Sequence, residues 1–418
     1  MRWRRIAALA ALAAIGACAP RRPLPPLAPS LPRVQPEVKI GLAVDTDSVA
    51  VSAPGGLELV GATGSSPKVG GDRPVTVFAD ASGRLWYRVA GGTPVAVAGA
   101  TLVARPRGDA PVSIAGHAYR GSALVRAAGP GRVTAINQVE LENYLLGVVP
   151  RELGPVGDSL VEAAKAQAVA ARTYAVGHLG TRSAQGFDLY ATTQDQVYGG
   201  AAAESPTVSR AVRETAGEIL TYRGEPIEAY YHSTCAGRTA AIDQVWNHAP
   251  VPYLVSVVDV NPKTGQAYDI RSSRFHWTVT WSVPQLEQIL SRTLADSLPA
   301  GASSVGRLLD MQILRKTPSG RVKRMRISTT TGNFVVGGDR VRWILTPPGG
   351  GILNSSKFDV QVVRDASGQP VEVVANGGGW GHGIGMCQWG AMGRALAGQD
   401  YRTILAAYYP GTHLRKLY

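Results

Sequence analysis

The glycine-rich segment GGGWGHGIGMCQWGA, residues 377–391, combines side chains that commonly bind carbohydrate. Trp380 and Trp389 offer flat apolar faces for sugar rings, while His382 and Gln388 offer hydrogen-bonding groups. Glycine costs backbone entropy on folding, so its density indicates that something approaches the main chain closely. Two interpretations are open. Either a ligand makes that approach, or the segment is a tight bend before a helix that begins near Gln388, with both tryptophans in the core.

A second feature is Glu152, a carboxylate that we predict to lie in a turn between an apolar stretch and a helix. The plain alternative is a solvated loop carboxylate. Hydrolytic glycosidases use two carboxylates, whereas cleavage by a hydroxyl of the sugar itself needs one acid that later acts as base. Asp195 and Asp243 are the candidates for a second carboxylate, and Asp243 is typical of a turn or helix cap. A working acid needs its pKa raised by partial burial, so we expect Arg151 to point away from Glu152.

The helix after Glu152 is the first element that would position these residues. Ser159 and Glu162 predict a capping box at its start, and Asp158 adds negative charge near the positive end of the helix dipole. The inward stripe predicted for this helix is largely alanine. Three larger side chains differ from it and are candidates for a binding surface, namely Lys165, Gln167 and Arg172.

Residues 38–134 predict an N-terminal β domain, because short β-branched runs alternate there with Gly, Asp or Pro turns. The composition of the whole chain agrees, with 49 glycines, 28 prolines and only 17% charged residues among 418. We therefore predict an α+β fold that is mainly β. In it the small β domain is followed by a mixed, β-rich catalytic domain over residues 135–418, where the alanine-rich helix lines a groove.

The first 37 residues predict export and anchoring. Arginines precede ten apolar residues, 6–15, a run too short to span a bilayer but typical of a signal peptide. Ile15-Gly16-Ala17-Cys18 resembles a lipobox, so residues 1–18 are predicted to be a lipoprotein signal peptide with acylation at Cys18. A cleaved signal peptide with a chance cysteine is the alternative. Residues 19–37 are a proline-rich tether, and two acyl chains suffice to hold the protein at the cell envelope, facing the periplasm. In a diderm bacterium the outer membrane is expected.

The two remaining cysteines are Cys235 and Cys387. An even pair in an exported protein predicts a disulfide, which in the chain-entropy model stabilises the fold by about 4–5 kcal/mol. The alternative is a Cys–His nucleophile, in which His232 or His382 activates Cys235.

Four ordered blocks resemble the SpoIID/LytB family of stage II sporulation protein D and amidase-enhancer proteins. They are LENYLLGVVPREL with LVEAAKAQAVAARTYAV, TTQDQVYGG (192–200), YYHSTCAGRTAAIDQVWN (230–247) and NGGGWGHGIGMCQWGAMGRALAGQDYRTILAAYYPGT (376–412). The resemblance covers roughly residues 135–413. Similarity to the sporulation protein implies a lytic transglycosylase that cleaves peptidoglycan glycan strands to 1,6-anhydromuramyl products, with Glu152 as the single acid–base. Similarity to the other branch implies a non-catalytic peptidoglycan-binding protein that activates a cell-wall amidase.

The matching blocks also predict which side chains bind the glycan. They are Lys165, Gln167, Arg172, Gln196, Tyr198, His232, Ser233, Trp380, His382 and Gln388. A Ser233–His232 nucleophile pair is a further alternative, but the chain has no GxSxG elbow to present the serine.

A metal site is not predicted, and neither is a cofactor. Some sporulation-type members carry a Cys- and His-containing stretch before QVY that is thought to hold zinc. Here Tyr190, Gln194 and Asp195 occupy that stretch, and zinc prefers sulfur and imidazole ligands. His232, His382 and Cys235 could form another site, but the disulfide is the preferred use of the cysteine.

The net charge of +13 is scattered over the sequence and does not predict nucleic-acid binding. A basic surface of this kind suits anionic polymers or lipids. The expected partners are therefore peptidoglycan strands, a cell-wall amidase in the activator interpretation, and the membrane through the lipid anchor alone.

Overall fold

The computed structural model describes residues 33–61, 66–71, 73–298 and 303–418. The predicted signal peptide, Cys18 and most of the tether therefore lie outside the described residues. Strands make up 34% and helices 24% of the structure, in several sheets, which confirms the expected mainly-β α+β fold. None of the described helices has the length and apolarity needed to cross a membrane.

The N-terminal part consists of short strands whose side chains alternate between buried and more exposed positions, as in Val75, Val77 and Ala79 of the fifth strand. These strands are β1 (Glu37–Thr46), β2 (Ser48–Ser52), β3 (Leu57–Val60), β4 (Lys68–Val69), β5 (Val75–Ala79), β6 (Leu85–Val89), β7 (Val95–Ala96), β8 (Thr101–Pro106), β9 (Val112–Ile114), β10 (His117–Tyr119), β11 (Ser122–Gly129) and β12 (Arg132–Glu140). One sheet has the order β1-β12-β11-β8-β3-β4, with β13 (Leu189–Tyr190) added in parallel beside β1. The other has the order β10-β9-β2-β5-β6-β7.

The hydrophobic core does not divide at residue 134, where the two predicted domains meet. β12 runs through that position and leads directly into α1 (Leu141–Leu153). The core formed by the N-terminal strands also contains Leu145 and Val148 of α1. One core therefore spans the predicted boundary and ties α1 to the β sheets.

α2 (Val161–Gly177) is buried on all sides, whereas the sequence predicted a single inward stripe. Ala164, Ala168 and Ala171 pack into the N-terminal core, while Ala166 and Ala170 pack into a second core. Alanine is small enough for neighbours to approach from both directions. These neighbours are α1, α3 (Pro206–Glu214), β14 (Glu218–Tyr222), α7 (Gln388–Leu396) and α8 (Tyr401–Tyr408).

The capping box predicted for α2 is wrong. Ser159 belongs to a 3-10 turn, Asp158–Leu160, and the residue before the helix is Leu160, which has no side-chain cap. The Glu162 carboxylate instead accepts hydrogen bonds from Lys165 Nζ (2.8 Å) and from the backbone N–H of Tyr401 (2.9 Å). Tertiary contacts with α8 take the carboxylate that a local cap would have used.

A separate core lies between residues 277 and 377, with Trp281 and Phe358 among its buried side chains. Its elements are β17 (Trp277–Ser282), α5 (Val283–Thr293), β18 (Leu308–Lys316), β19 (Val322–Thr329), β20 (Asn333–Val336), α6 (Val341–Ile344), β21 (Phe358–Arg364) and β22 (Pro370–Gly377). α5 begins with a capping box formed by Ser282 and Gln285, so this signature does occur in the chain.

Two very short strands bring distant segments together next to α2. β16 (Tyr231–His232) pairs in parallel with β23 (Met386–Cys387), so that Tyr231 lies opposite Met386 and His232 opposite Cys387. The remaining described elements are β15 (Glu225–Pro226), α4 (Ile242–Val245) and β24 (His413–Lys416).

Candidate active site

Glu152 lies in the last turn of α1, which corrects the prediction that it lies in a turn. The apolar stretch before it is itself helical, because Leu141, Leu145 and Val148 recur at helical spacing and are buried. Pro150 is tolerated because it lies close to the end of the helix, which ends at Gly154 with a positive φ of 77°. The carboxylate is therefore fixed by a rigid element.

Three donors from different parts of the chain converge on this carboxylate. The backbone N–H of Val197 donates to Oε1 at 2.8 Å, and Gln388 Nε2 donates to Oε2 at 3.3 Å. The Tyr231 hydroxyl is the third and weakest of these donors, and it lowers the pKa of the Glu152 carboxyl. The site is thus built from the end of α1, the loop after β13, β16 and the start of α7.

Burial is the main influence on the Glu152 carboxyl, and it raises the pKa above its usual range. The three hydrogen-bond donors oppose this shift because they favour the charged form. The position in the last turn of α1 acts in the same direction as burial, since carbonyl groups at a helix C-terminus disfavour negative charge. The group can therefore hold a proton at a higher pH than an ordinary glutamate and still has partners for its ionised form.

Other acidic and basic groups are engaged elsewhere. Asp195 is almost fully buried, and it accepts hydrogen bonds from the Tyr190 backbone N–H (2.8 Å), Tyr174 (3.0 Å) and Arg182 (3.1 Å). Asp243 lies in the first turn of the short helix α4. Among the described residues, no carboxylate contributes to the pKa shift of Glu152.

Arg151 is exposed, and its side-chain carbons lie next to Gly199. This placement agrees with the expectation that it points away from Glu152.

A chain of buried polar side chains supports the Tyr231 hydroxyl. Gln196 Nε2 donates to that hydroxyl at 3.0 Å and to the Ala171 carbonyl at 3.2 Å. Tyr144 in turn donates to Gln196 Oε1 at 3.2 Å. Sequence reasoning selected Gln196 but missed Tyr231, Tyr144 and the Val197 N–H. Tyr231 lay inside a matching block, yet nothing in its local pattern distinguished it from Tyr230.

The structure brings Gln167 and Gln388 together beside Glu152. Gln388 is the first residue of α7, as the bend-and-helix interpretation predicted, and its Nε2 lies 3.5 Å from Gln167 Oε1. Gln167 is fully buried, and its Nε2 has no partner among the described residues. The helix dipole of α7 adds positive potential at this point, which favours the ionised form of Glu152.

The glycines of residues 377–391 are required by protein packing. Gly383 and Gly385 have φ values of 86° and 71°, which side chains rarely adopt. A Cβ at Gly383 would collide with Arg321, and one at Gly385 with the carbonyl of Tyr230. The tight-bend interpretation therefore accounts for these two glycines.

The aromatic and imidazole groups of this segment have different environments. Trp380 is 41% exposed with the Arg274 guanidinium 4.5 Å from its ring centroid, so it is not a core residue. His382 donates through Nε2 to the Tyr231 carbonyl (2.9 Å) and accepts at Nδ1 from the Ile384 N–H (3.1 Å). Burial lowers the pKa of His382 to about 3, so the ring is neutral and fixes the backbone next to Tyr231.

His232 and Ser233 lie beside the site without contacting Glu152. His232 is 4% exposed and donates from Nδ1 to the Ile384 carbonyl at 3.2 Å. The Ser233 hydroxyl lies 3.2 Å from the Thr234 hydroxyl, so the structure gives no support to a Ser233–His232 nucleophile pair.

Three other predicted binding residues have structural roles in this conformation. Lys165 forms ion pairs with Glu162 and Glu214, and the fully buried Arg172 pairs with Glu142 at 2.7 Å. The buried Tyr198 hydroxyl donates to Asn137 at 3.0 Å. The expectation that these side chains line a groove is not supported by their placement, because their polar groups are already paired within the protein.

Cys235 and Cys387 are both fully buried, and their sulfur atoms lie within 4.8 Å of one another as separate thiols. The disulfide stays a prediction. Burial raises the pKa of both thiols, that of Cys387 to about 11, which disfavours the thiolate that a nucleophile requires.

A cavity of about 720 Å³ borders Ala236, the residue after Cys235. Phe275, His276, Lys316 and Lys357 are among the residues that line it, and Glu152 is not. Lys357 Nζ donates to the Ala236 carbonyl at 2.6 Å. The cavity is therefore separate from the acid.

Comparison with known proteins gives two family matches. Residues 130–222, which include Glu152, Gln167 and Gln196, match a family described as stage II sporulation protein. Residues 263–385 match a domain of unknown function.

Several curated proteins are similar over a longer stretch. Stage II sporulation protein D of Bacillus amyloliquefaciens is 32% identical over 295 residues, which is 67% of this chain and 75% of that protein. The amidase enhancer of Bacillus subtilis is 33% identical over 303 residues, 65% of this chain and 40% of that protein. An uncharacterized protein of Brachyspira hyodysenteriae is 33% identical over 280 residues, 67% of each chain.

Proposed function

The chain belongs to the SpoIID/LytB family of stage II sporulation protein D and amidase-enhancer proteins, and from this premise we propose that it cleaves peptidoglycan glycan strands as a lytic transglycosylase. The observation that carries the proposal is Glu152, a half-buried carboxyl with a raised pKa and neutral hydrogen-bond donors on both oxygens. Those features suit a group that gives up a proton and later takes one back.

The reaction needs one such group. The Glu152 carboxylic acid donates its proton to the glycosidic oxygen between N-acetylmuramic acid and N-acetylglucosamine, and the bond from that oxygen to C1 of the muramyl sugar breaks. The C6 hydroxyl of the same sugar then attacks C1, and the Glu152 carboxylate accepts the hydroxyl proton. The product has a 1,6-anhydro ring, no water is consumed, and the acid is regenerated.

The hydrogen bonds to Glu152 support both halves of this cycle. Burial raises the pKa of the carboxyl, which favours the protonated form that the first step needs. The Val197 N–H, Gln388 and Tyr231 stabilise the carboxylate that exists between the two steps. Because these donors are uncharged, they offset the desolvation of Glu152 without forcing the group to stay ionised.

The second candidate function is a peptidoglycan-binding activator of an N-acetylmuramoyl-L-alanine amidase. It is favoured by the likeness to the amidase enhancer and by the engagement of both Glu152 oxygens within the protein. In either case we propose that the protein acts at the cell envelope, held there by acylated Cys18.

The test is product analysis after incubation with intact and peptide-stripped sacculi, with mass spectrometry of the released fragments. We expect 1,6-anhydromuramyl ends from the wild type. Glu152→Gln keeps the shape of the side chain but cannot transfer a proton, so the rate should fall by about 10²–10⁴-fold. The matched control is Glu225→Gln, which removes an exposed carboxylate and should leave the rate unchanged.

Three outcomes would contradict the transglycosylase proposal. New reducing ends would mean that water attacks, and normal cleavage by Glu152→Gln would mean that another group is the acid. If wild type and Glu152→Gln cleave nothing yet both stimulate a purified amidase, the activator function is correct.

A further inference from the structure

A second cluster of reactive side chains lies directly behind the Glu152 site. A ring nitrogen of His232 and the sulfurs of Cys235 and Cys387 all lie within 4.8 Å of one another. The pairing of β16 with β23 places His232 opposite Cys387, and Cys235 follows in the next turn. The two cysteines are fully buried and His232 is 4% exposed. Segments that are distant in the sequence thus place one imidazole and two thiols together in a buried site.

His232 has the tautomer expected of a metal ligand, and its other ring nitrogen is free to bind an ion. Its Nδ1–H donates to the Ile384 carbonyl at 3.2 Å, so Nε2 carries a lone pair. Nε2 is buried and has no hydrogen-bond partner among the described residues. Histidines that bind metal through one nitrogen usually donate the other N–H to a carbonyl or carboxylate, which fixes the ring. Leaving such a nitrogen unpaired in the interior is otherwise costly.

The sulfur atom of Cys387 accepts backbone hydrogen bonds, while acidic groups lie close to both sulfurs. The backbone N–H groups of Cys235 (3.2 Å) and Gly390 (3.3 Å) both donate to Cys387 Sγ, the second of them in the first turn of α7. An Asp269 carboxylate oxygen lies 3.7 Å from Cys387 Sγ and within 4.8 Å of Cys235 Sγ. Without a cation, two thiolates and a carboxylate would repel one another here, and burial keeps the thiols protonated.

Nearby cations match the charge of an occupied site. Two thiolates and one carboxylate carry more negative charge than a divalent ion neutralises. The guanidinium of Arg321 is fully buried near both cysteines, and its Nε and Nη2 have no partner among the described residues. The neighbouring Asp259 carboxylate is already paired with Arg394 at 2.9 Å. The excess negative charge of the occupied site would therefore balance the buried positive charge of Arg321.

We propose that His232, Cys235 and Cys387 bind a zinc ion through Nε2 and the two sulfur atoms. Thiolate and imidazole ligands are typical of structural zinc. Tyr231 precedes one ligand and Gln388 follows another, so the ion would fix the two segments that carry both side-chain donors to Glu152. A disulfide between the same cysteines would leave His232 Nε2 without a partner, whereas zinc uses every group of the cluster.

The first experiment uses the full-length wild-type protein, extracted from its own envelope fraction with detergent. Metal analysis should give about one zinc per chain, and both cysteines should be free when alkylated under denaturing, chelating and non-reducing conditions. Replacement by Co²⁺ should give a thiolate-to-metal absorption band. Removal by a chelator should require unfolding, since the ligands are buried. A linked Cys235–Cys387 peptide, or free thiols without zinc or Co²⁺ uptake, overturns the proposal.

A pair of histidine variants separates the metal from the disulfide. His232→Gln should lower zinc affinity by at least about 10–100-fold, because it removes a ligand. His382→Gln is the matched control: the two rings lie 5.6 Å apart, but both His382 nitrogens are hydrogen-bonded to the backbone. Its zinc content should equal that of the wild type. Equal zinc content in His232→Gln, or loss in the His382 control alone, contradicts the assignment. If His232→Gln does not fold, the wild-type measurements decide.

Discussion

The Glu152 site and the His232–Cys235–Cys387 cluster share strand β16 and the junction between β23 and α7, but they differ in accessibility and chemistry. Tyr231 and Gln388 donate to Glu152, while their chain neighbours His232 and Cys387 belong to the cluster. Successive side chains of a strand point to opposite faces, so Tyr231 and His232 of β16 serve different sites. At the end of β23, Cys387 belongs to the cluster, and Gln388, the first residue of α7, faces Glu152. The Glu152 side is partly exposed, whereas the cluster is sealed.

This difference shows how the donors to Glu152 can be held in fixed positions although one side of the site is open to solvent. The three donors to Glu152 come from segments that contact it from three directions. Two of those segments are anchored one residue away, inside a core that contains Cys235, Cys387 and Ile384. The buried cluster and its core therefore hold the two segments in place, and the partly exposed side presents the Glu152 carboxyl to a substrate.

The largest expected effect is that His382 and Glu152 make the free energy of unfolding depend on pH in opposite directions. Burial beside Arg321 and Arg342 lowers the pKa of His382 to about 3, whereas an unfolded histidine titrates near 6.5. Protonation therefore favours the unfolded state, and His382 contributes stability that is lost as the pH falls from 6.5 toward 3. Glu152, with its raised pKa, gives the opposite sign because the folded state holds its proton more tightly.

Urea unfolding at a series of pH values measures this contrast. The wild type should lose stability on acidification, and His382→Gln should show a shallower slope through the same window. Glu152→Gln should show a steeper decline than the wild type, since it removes a group that favours folding in acid. Parallel curves for all three proteins would show that neither group has a perturbed pKa.

The next effect concerns close packing on the sealed side. Gly390 lies in α7, and a Cβ there would collide with the Asp259 carboxylate and the Tyr408 hydroxyl. These two groups are hydrogen-bonded to each other at 2.8 Å and cannot both move away easily. Gly390→Ala should therefore lower the free energy of unfolding by about 3 kcal/mol.

Gly177→Ala is the matched control for that substitution. Gly177 is the last residue of α2, and a Cβ there would meet no atom within 4 Å. Its stability should be unchanged or slightly higher, because alanine is the better helix former. Chemical denaturation of the two variants distinguishes a steric cost from a general cost of replacing glycine, and an equally stable Gly390→Ala would refute the packing argument.

Sequence patterns predicted well what depends on local composition. Short β-branched runs separated by turns gave the N-terminal strands, and the helix beginning at Gln388 was expected at that position. The capping box at Ser159 failed because the Glu162 carboxylate is used by Lys165 in the same helix and by the Tyr401 backbone, which is a tertiary contact. The predicted turn at Glu152 is wrong because the apolar stretch before it is itself helical and continues past Pro150 to Leu153.

The site was predictable only in part, because its members come from four separate segments. Glu152, Gln167 and Gln388 were selected from matching blocks, and the structure brings them together. Arg172 was selected by its size within an alanine-rich helix, yet its partner Glu142 lies on another helix and holds it inside the protein. The Val197 N–H is a backbone group, so no side-chain pattern could have identified it.

The smallest expected effect tests whether Tyr231 tunes the acid. Its hydroxyl stabilises the ionised form of Glu152, so its removal should raise the pKa of Glu152 further. A hydrogen bond to a charged group contributes about 1.5 kcal/mol or more, which corresponds to about one pH unit. In Tyr231→Phe the alkaline limb of the kcat/KM profile, where the acid loses its proton, should therefore move upward by about one unit.

Two further tyrosines make this shift interpretable. Tyr144→Phe removes a hydroxyl that acts on Tyr231 through Gln196, so its shift should have the same sign and be smaller. Tyr409→Phe removes a buried hydroxyl that donates to the Tyr230 carbonyl at 2.7 Å, outside this chain of hydrogen bonds. It should lower stability without moving the profile. A graded shift in the order Tyr231, Tyr144, Tyr409 requires an electrostatic path to Glu152, because a structural role alone would change stability and leave the pH dependence in place. Equal pH profiles for all three variants would show that Tyr231 does not affect the pKa of Glu152.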